Sequence, residues 1–214
     1  REKVTYIPNF VNKEKWHPLP KEEVLRLRED LGLDQRQFIV VGAGQVQKRK
    51  GIDDFIRLAE ELPQITFIWA GGFSFGGMTD GYEKYKKMME NPPKNLLFPG
   101  IVTPERMREL YSLADIFLLP SYNELFPMTI LEAASCDAPI MLRDLDLYKV
   151  ILEGNYHATA DKDEMKQSIL EYQKNPDSLK ELKEKAKKIS REYSEEHLLQ
   201  IWLEFYQEQA ALGR

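Results

Sequence analysis

The stretch Phe38-Ile39-Val40-Val41-Gly42-Ala43-Gly44 decides the fold. Its opening run is apolar without alternation, which describes a strand covered on both faces, as in a parallel sheet. The glycines that follow let the chain turn tightly at the strand's carboxyl end. Residues 52–62 then carry Phe55, Ile56, Ala59 and Leu62 on one helical face, with Pro63 as a stop. Residues 65–70 make a second apolar strand, which runs into Gly71-Gly72. Strand, glycine turn, amphipathic helix and strand make a βαβ unit with a right-handed crossover.

The alternation extends in both directions from that unit. Upstream, 4–7 reads as a short strand closed by Pro8-Asn9, and 21–31 as a helix with Val24, Leu27 and Leu31 in register and Gly32 as its stop. Downstream, helices are expected at 82–90, 104–113, 129–135 and 147–152, and strands at 95–98, 116–119, 139–142 and 156–158. From about 161 the pattern becomes wholly helical, at 161–174, 176–192 and 194–211. The expected fold is α/β: a Rossmann-like parallel sheet flanked by helices over about 1–160, with C-terminal helices over about 161–214, in one domain spanning 1–214. The last helix has a broad apolar face of Leu198, Leu199, Ile201, Trp202, Phe205 and Tyr206. That face is expected to pack on the core or on a neighbouring domain.

Composition narrows the function. The chain of 214 residues has a formal net charge of -5, which argues against a nucleic-acid partner. The single cysteine, Cys136, rules out an internal disulfide framework and favours a reducing, cytoplasmic compartment. His17, His157 and His197 show no ligand spacing, so no metal site is expected. No apolar run approaches the ~18 residues of a membrane span.

In an open α/β sheet, ligands sit beyond the carboxyl ends of the strands. That edge collects 42–51, 71–81, 100–103, 121–129 and 143–146. Gly44 to Gly51 is a turn with three consecutive cations, Lys48, Arg49 and Lys50, leading into a helix whose N-terminus favours anions. It is neither a P-loop nor a Gly-x-Gly-x-x-Gly dinucleotide turn. Ser121-Tyr122-Asn123-Glu124-Leu125-Phe126-Pro127-Met128-Thr129-Ile130-Leu131-Glu132 places one carboxylate in a loop past a strand and a second in the following helix, eight positions on. Spacing alone does not separate a sugar-phosphate site from a surface Glu124 and a helix-stabilising Glu132. Asp144 and Asp146 read equally as ligands or as caps of the next helix.

Ser121-x-x-Glu124-x-Phe126-x-x-x-x-Leu131-Glu132-Ala133 resembles the Glu-x7-Glu signature of retaining GT-B glycosyltransferases of family 4. Ile7-Pro8-Asn9 resembles the start of that family's C-terminal domain, and Gly44 to Gly51 its Gly-Arg-x-x-x-x-Lys-Gly phosphate turn. Gln45 stands where the family has Arg, and Pro127 where it often has Gly. Gly71-Gly72-Phe73-Ser74-Phe75-Gly76 and Arg143-Asp144-Leu145-Asp146-Leu147-Tyr148 are similar to segments of the bacterial diacylglycerol glucosyltransferases.

The resemblance implies one half of a GT-B fold, with an acceptor-binding N-terminal domain outside this chain as its partner. It implies retaining hexosyl transfer from a nucleotide sugar, UDP-glucose in that group, to a diacylglycerol-type lipid at the inner membrane face, without a metal. It also implies roles. Lys50, with Gly44, Gln45 and Arg49, would hold the diphosphate, and Glu124 would face the sugar. Phe126, Met128 and Thr129 would offer amides, Glu132 would bind the ribose, and Ile101 and Val102 would border the base. Phe73, Phe75 and Met78 would suit a lipid acceptor or simply pin their loop. Alternatives are a sugar or cell-wall glycan acceptor, or a nucleotide-sugar-binding module without activity.

Overall fold

The computed structural model describes residues 5–74 and 76–212. Six parallel strands form one sheet: β1 (Ile39–Ala43), β2 (Thr66–Ala70), β3 (Leu96–Gly100), β4 (Ile116–Leu119), β5 (Ile140–Arg143) and β6 (His157–Thr159). Their order across the sheet is β3-β2-β1-β4-β5-β6. The helices are α1 (Lys21–Asp30), α2 (Ile52–Glu61), α3 (Tyr82–Glu90), α4 (Pro104–Leu113), α5 (Met128–Ser135), α6 (Asp146–Ile151), α7 (Lys162–Lys174), α8 (Leu179–Glu192) and α9 (Glu195–Leu212).

Strand side chains alternate between two buried clusters, one on each face of the sheet. Ile39, Val41, Phe117 and Leu119 join α4 and α5 on one face. Val40, Ile116 and Leu118 join α2 and α7 on the other. This double coverage is why the strands are apolar throughout. The helix ends follow local chemistry. The Thr103 hydroxyl accepts from the Arg106 amide ahead of Pro104, and the Asp161 carboxylate accepts from the Asp163 and Glu164 amides.

β1 reaches further than its apolar run. β1 continues through Gly42 and Ala43, which pair with Trp69 and Ala70 of β2, because the ladder needs backbone and not bulk. The strand expected at 4–7 is corrected in its described part: residues 5–7 have no regular structure. Val4 lies outside the described residues. Near that segment, the pairing found is a single bridge from Val11 to Ser194, and one bridge does not make a strand. Of the two expected partners for the apolar face of α9, the core covers only its start. Leu198 is 1% exposed, while Leu199, Leu203 and Tyr206 are 56%, 47% and 62% exposed. Among the described residues no helix is long and apolar enough to cross a membrane.

Candidate active site

β1 and β4 are neighbours, so the strand order reverses between them and their carboxyl-end loops diverge there. The basic turn after β1 and the carboxylate loop after β4 line this gap. Lys48–Lys50 form a short 3₁₀ turn, and Gly51, at φ 73°, hands the chain to α2. A Cβ on Gly51 would lie 2.1 Å from the Pro120 carbonyl oxygen, so the loops can touch only because this residue is glycine. The Tyr122 amide donates to the Arg49 carbonyl at 2.8 Å and joins the two loops.

This apposition brings Lys50 to Glu124. Lys50 Nζ donates to both carboxylate oxygens, at 2.6 and 2.8 Å, and Ser121 Oγ donates to Oε1 at 2.6 Å. The Lys50 and Glu124 side chains are only 13% and 4% exposed. Arg49 Nη1 lies 4.0 Å from Glu124 Oε2 and 3.4 Å from the Asn123 carbonyl oxygen, so Arg49 is a second cation at this carboxylate. The Gln45 amide meets the Gln47 amide at 2.5 Å and brings no charge to the turn. Gly44 lies along the Lys50 stem: a Cβ there would sit 3.7 Å from Lys50 Cδ.

The remaining residues of the expected set lie just after β3, in the loop after β4 and in α5. Met128 and Thr129 open α5 behind Pro127, and no side chain caps that helix end. The Phe126 ring turns inward onto Tyr193, with centroids 5.8 Å apart. Ile101 is 76% exposed and Val102 half-buried, just past Gly100, whose carbonyl accepts from the Gly71 amide. The Gly72 carbonyl in turn accepts from the Val46 amide at 3.0 Å, tying the β3 and β2 loops to the basic turn. Glu132 does not contact the Lys50–Glu124 pair. Its Oε2 accepts from the Tyr111 hydroxyl at 3.1 Å, and burial raises its carboxyl above the ordinary range, against the opposing effect of that bond.

Other candidates resolve differently. Asp144 and Asp146 do not cap α6, where Leu145 is the N-cap without a side-chain bond; both pair with Lys149 at 3.2 Å. Phe73 pins its loop by packing edge-to-face on Tyr82, centroids 4.7 Å apart, while Met78 is exposed. Phe75 lies outside the described residues. Burial pushes the Cys136 thiol up to about 12, which fits a core role. His157 lies between Ser168 and Tyr172, at 2.9 and 3.0 Å. Among the described residues no cluster of three or more His, Cys, Asp or Glu side chains could hold a metal ion.

The sequence did not single out a buried network beside the pair. Arg143 ends β5 and reaches Asp54 in the first turn of α2, and Tyr122 donates to the same Asp54 oxygen. A signal was present: an arginine closing the apolar run Ile140-Met141-Leu142 demands a buried counter-charge.

Comparison with known proteins fits this geometry. The family model for group 1 glycosyl transferases matches residues 24–189, and the chain belongs to that family. Over its whole length the chain is 87% identical to the alpha-galactosylglucosyldiacylglycerol synthase of Streptococcus pneumoniae, of which it spans 57%. It is also 36% identical, over 60% of its length, to the processive diacylglycerol alpha-glucosyltransferase of Acholeplasma laidlawii, of which the match spans 38%. The chain therefore spans little more than half the length of the S. pneumoniae relative, and its likeness to diacylglycerol glycosyltransferases is borne out. Among solved structures, sucrose-phosphate synthase from Thermosynechococcus elongatus superposes with a TM-score of 0.80 at 20% identity, over 96% of this chain and 52% of that one. HepE from Anabaena, in complex with UDP and glucose, superposes with 0.79 at 19% identity, over 95% of this chain and 56% of that one. These likenesses confirm the expected half of a GT-B fold.

Proposed function

We propose that this chain is the donor-binding half of a retaining glycosyltransferase that moves a hexose from a nucleoside diphosphate to a glycolipid acceptor built on diacylglycerol. The observation that carries the reading is the Lys50–Glu124 pair, nearly buried where the strand order reverses and flanked by Arg49 and the uncapped start of α5. An ammonium has three donors, so Lys50 can stay on Glu124 and still meet a phosphate oxygen. As the bond from C1 of the hexose to the diphosphate breaks, negative charge grows on the leaving group. Lys50, Arg49 and the amides of Met128 and Thr129 stabilise that charge, which lowers the barrier electrostatically. Arg49 takes over the charge that Gln45 lacks, and no metal is needed for the neutralisation.

Glu124 acts in this scheme as a hydrogen-bond acceptor for the hexose and a counter-charge for Lys50. Its oxygens already accept from Lys50 and Ser121, which disfavours attack on C1. Glu132 receives the ribose hydroxyls, with Ile101 and Val102 beside the base. The word alpha in the names of both relatives supports retention, because common UDP-hexoses are themselves α-linked. UDP as carrier is supported by the UDP and UDP-glucose complexes of the HepE structures. Glucose is the hexose expected from the sequence. The name of the S. pneumoniae relative favours a second reading, in which galactose is transferred to a glucosylated diacylglycerol. Such a lipid acceptor places the enzyme peripherally at the inner membrane face, with the acceptor held by the part of the protein outside this chain.

The test uses the full-length enzyme with UDP-glucose and UDP-galactose offered against diacylglycerol and glucosyldiacylglycerol, the product anomer being read by NMR. Lys50→Ala and Glu124→Gln should each lower kcat by roughly a hundredfold or more, and turnover should persist in EDTA. Near-normal turnover in either variant overturns the assignment, and loss of turnover in EDTA overturns the metal-independent scheme.

A further inference from the structure

We infer that Asp54, Arg143 and Tyr122 form a positioning clamp that sets the reach between Lys50 and Glu124; the inference rests on the reading of those two as donor-binding groups. Arg143 is held in three directions. Nη2 donates to Asp54 Oδ2 at 2.5 Å, Nε to the Pro120 carbonyl at 3.1 Å and Nη1 to the Ala160 carbonyl at 3.1 Å. Tyr122 closes the arrangement: its hydroxyl donates to Asp54 Oδ2 at 2.6 Å, and its ring lies 4.2 Å from the guanidinium carbon. Arg143 and Asp54 are 8% and 7% exposed.

The placement of these groups gives the clamp its role. Asp54 lies four residues beyond Lys50, on the helix that the basic turn opens. Pro120 and Tyr122 flank Ser121, whose hydroxyl holds Glu124. The clamp therefore grips the basic turn through Asp54 and the carboxylate loop on both sides of Ser121. A buried ion pair is a weak source of stability, because desolvation of the charges offsets most of their attraction. A planar guanidinium with several fixed donors does impose direction. An apolar contact between the same loops would resist separation but would let one slide along the other. Such a slide would carry Lys50 Nζ out of reach of the phosphate that it is to meet while Glu124 holds the sugar.

The experiment measures UDP binding to the full-length enzyme by calorimetry, with Arg143→Lys and Tyr122→Phe each made in the native and in the Lys50→Ala background. Thermal melting accompanies every variant. A clamp acting through Lys50 predicts UDP binding weakened about threefold to tenfold by each clamp variant in the native background, and no further weakening once Lys50 is gone. Tyr122→Phe removes a single hydroxyl from a half-exposed ring, so it reads the clamp even if Arg143→Lys does not fold. Losses that persist in full without Lys50, or no loss in the native background, overturn the clamp. If Lys50→Ala alone binds UDP like the native enzyme, the donor-site reading itself falls, and the clamp's role falls with it.

Discussion

In its proposed place at the donor ribose, Glu132 trades stability against binding. Burial against α4 holds its carboxyl above the ordinary value of 4.5, so the folded protein binds this proton more tightly than the unfolded chain does. The sign follows from linkage. This group favours folding at pH below about 4.5 and loses that contribution as pH rises through its raised folded value. Glu132→Gln should therefore raise the melting temperature near neutral pH, with the gain shrinking as the solution is acidified, as melting curves across pH would record. The same variant should weaken UDP binding, because a carboxylate accepts two ribose hydroxyls better than an amide does. A variant no more stable than the native protein near neutral pH would mean that Glu132 is not held at a cost. At this scale the sequence was informative about residue type: Lys50, Glu124 and Glu132 stood out by their places in turn, loop and helix. Arg143 and Asp54 did not, because neither is notable until they meet across 89 residues of chain.

The two C-terminal elements behave differently. α8 buries Leu179, Leu182, Ala186 and Ile189, and it spans both sheet faces, since Ala186 and Ile189 join one cluster and Leu179 and Leu182 the other. α9 is anchored by Leu198 and leaves most of its remaining apolar face uncovered among the described residues. Leu198→Ala should cost about 3 kcal/mol in urea unfolding of this chain, a cavity-forming change in a packed position. Leu199→Glu should stay within about 0.5 kcal/mol. Comparable losses for the two would mean that the outer face of α9 is covered in solution. Helix periodicity made the apolar face legible, but a period does not say what lies opposite. For the same reason residues 5–7 looked like a strand and are not one: β-branched residues supply propensity, and a strand also needs a neighbour.

For the molecule as a whole, the expected consequence of this architecture is binding without transfer. The basic turn, the carboxylate loop and the start of α5 all lie at one sheet edge, so the proposed donor groups come from this chain alone, whereas the chain spans only 57% of its S. pneumoniae relative. Calorimetry should detect UDP-sugar binding to the 214-residue chain, and a lipid-acceptor assay should detect no product until the rest of the protein is present. No binding heat at millimolar donor would place essential donor contacts elsewhere. The sequence by itself determined the α/β class, the boundaries of most elements to within two residues and the residue types at the site, because buried strands, amphipathic helices and glycine turns are local patterns. Only the tertiary structure decided that Lys50 and Glu124 share two hydrogen bonds, that Arg49 joins them while Gln45 pairs with Gln47, and that Arg143 locks the two loops together. Apart from the Gln45–Gln47 contact, which lies within one turn, those contacts join residues on separate strands and loops, and the parallel sheet sets their distances through its strand order and register, which no local pattern encodes.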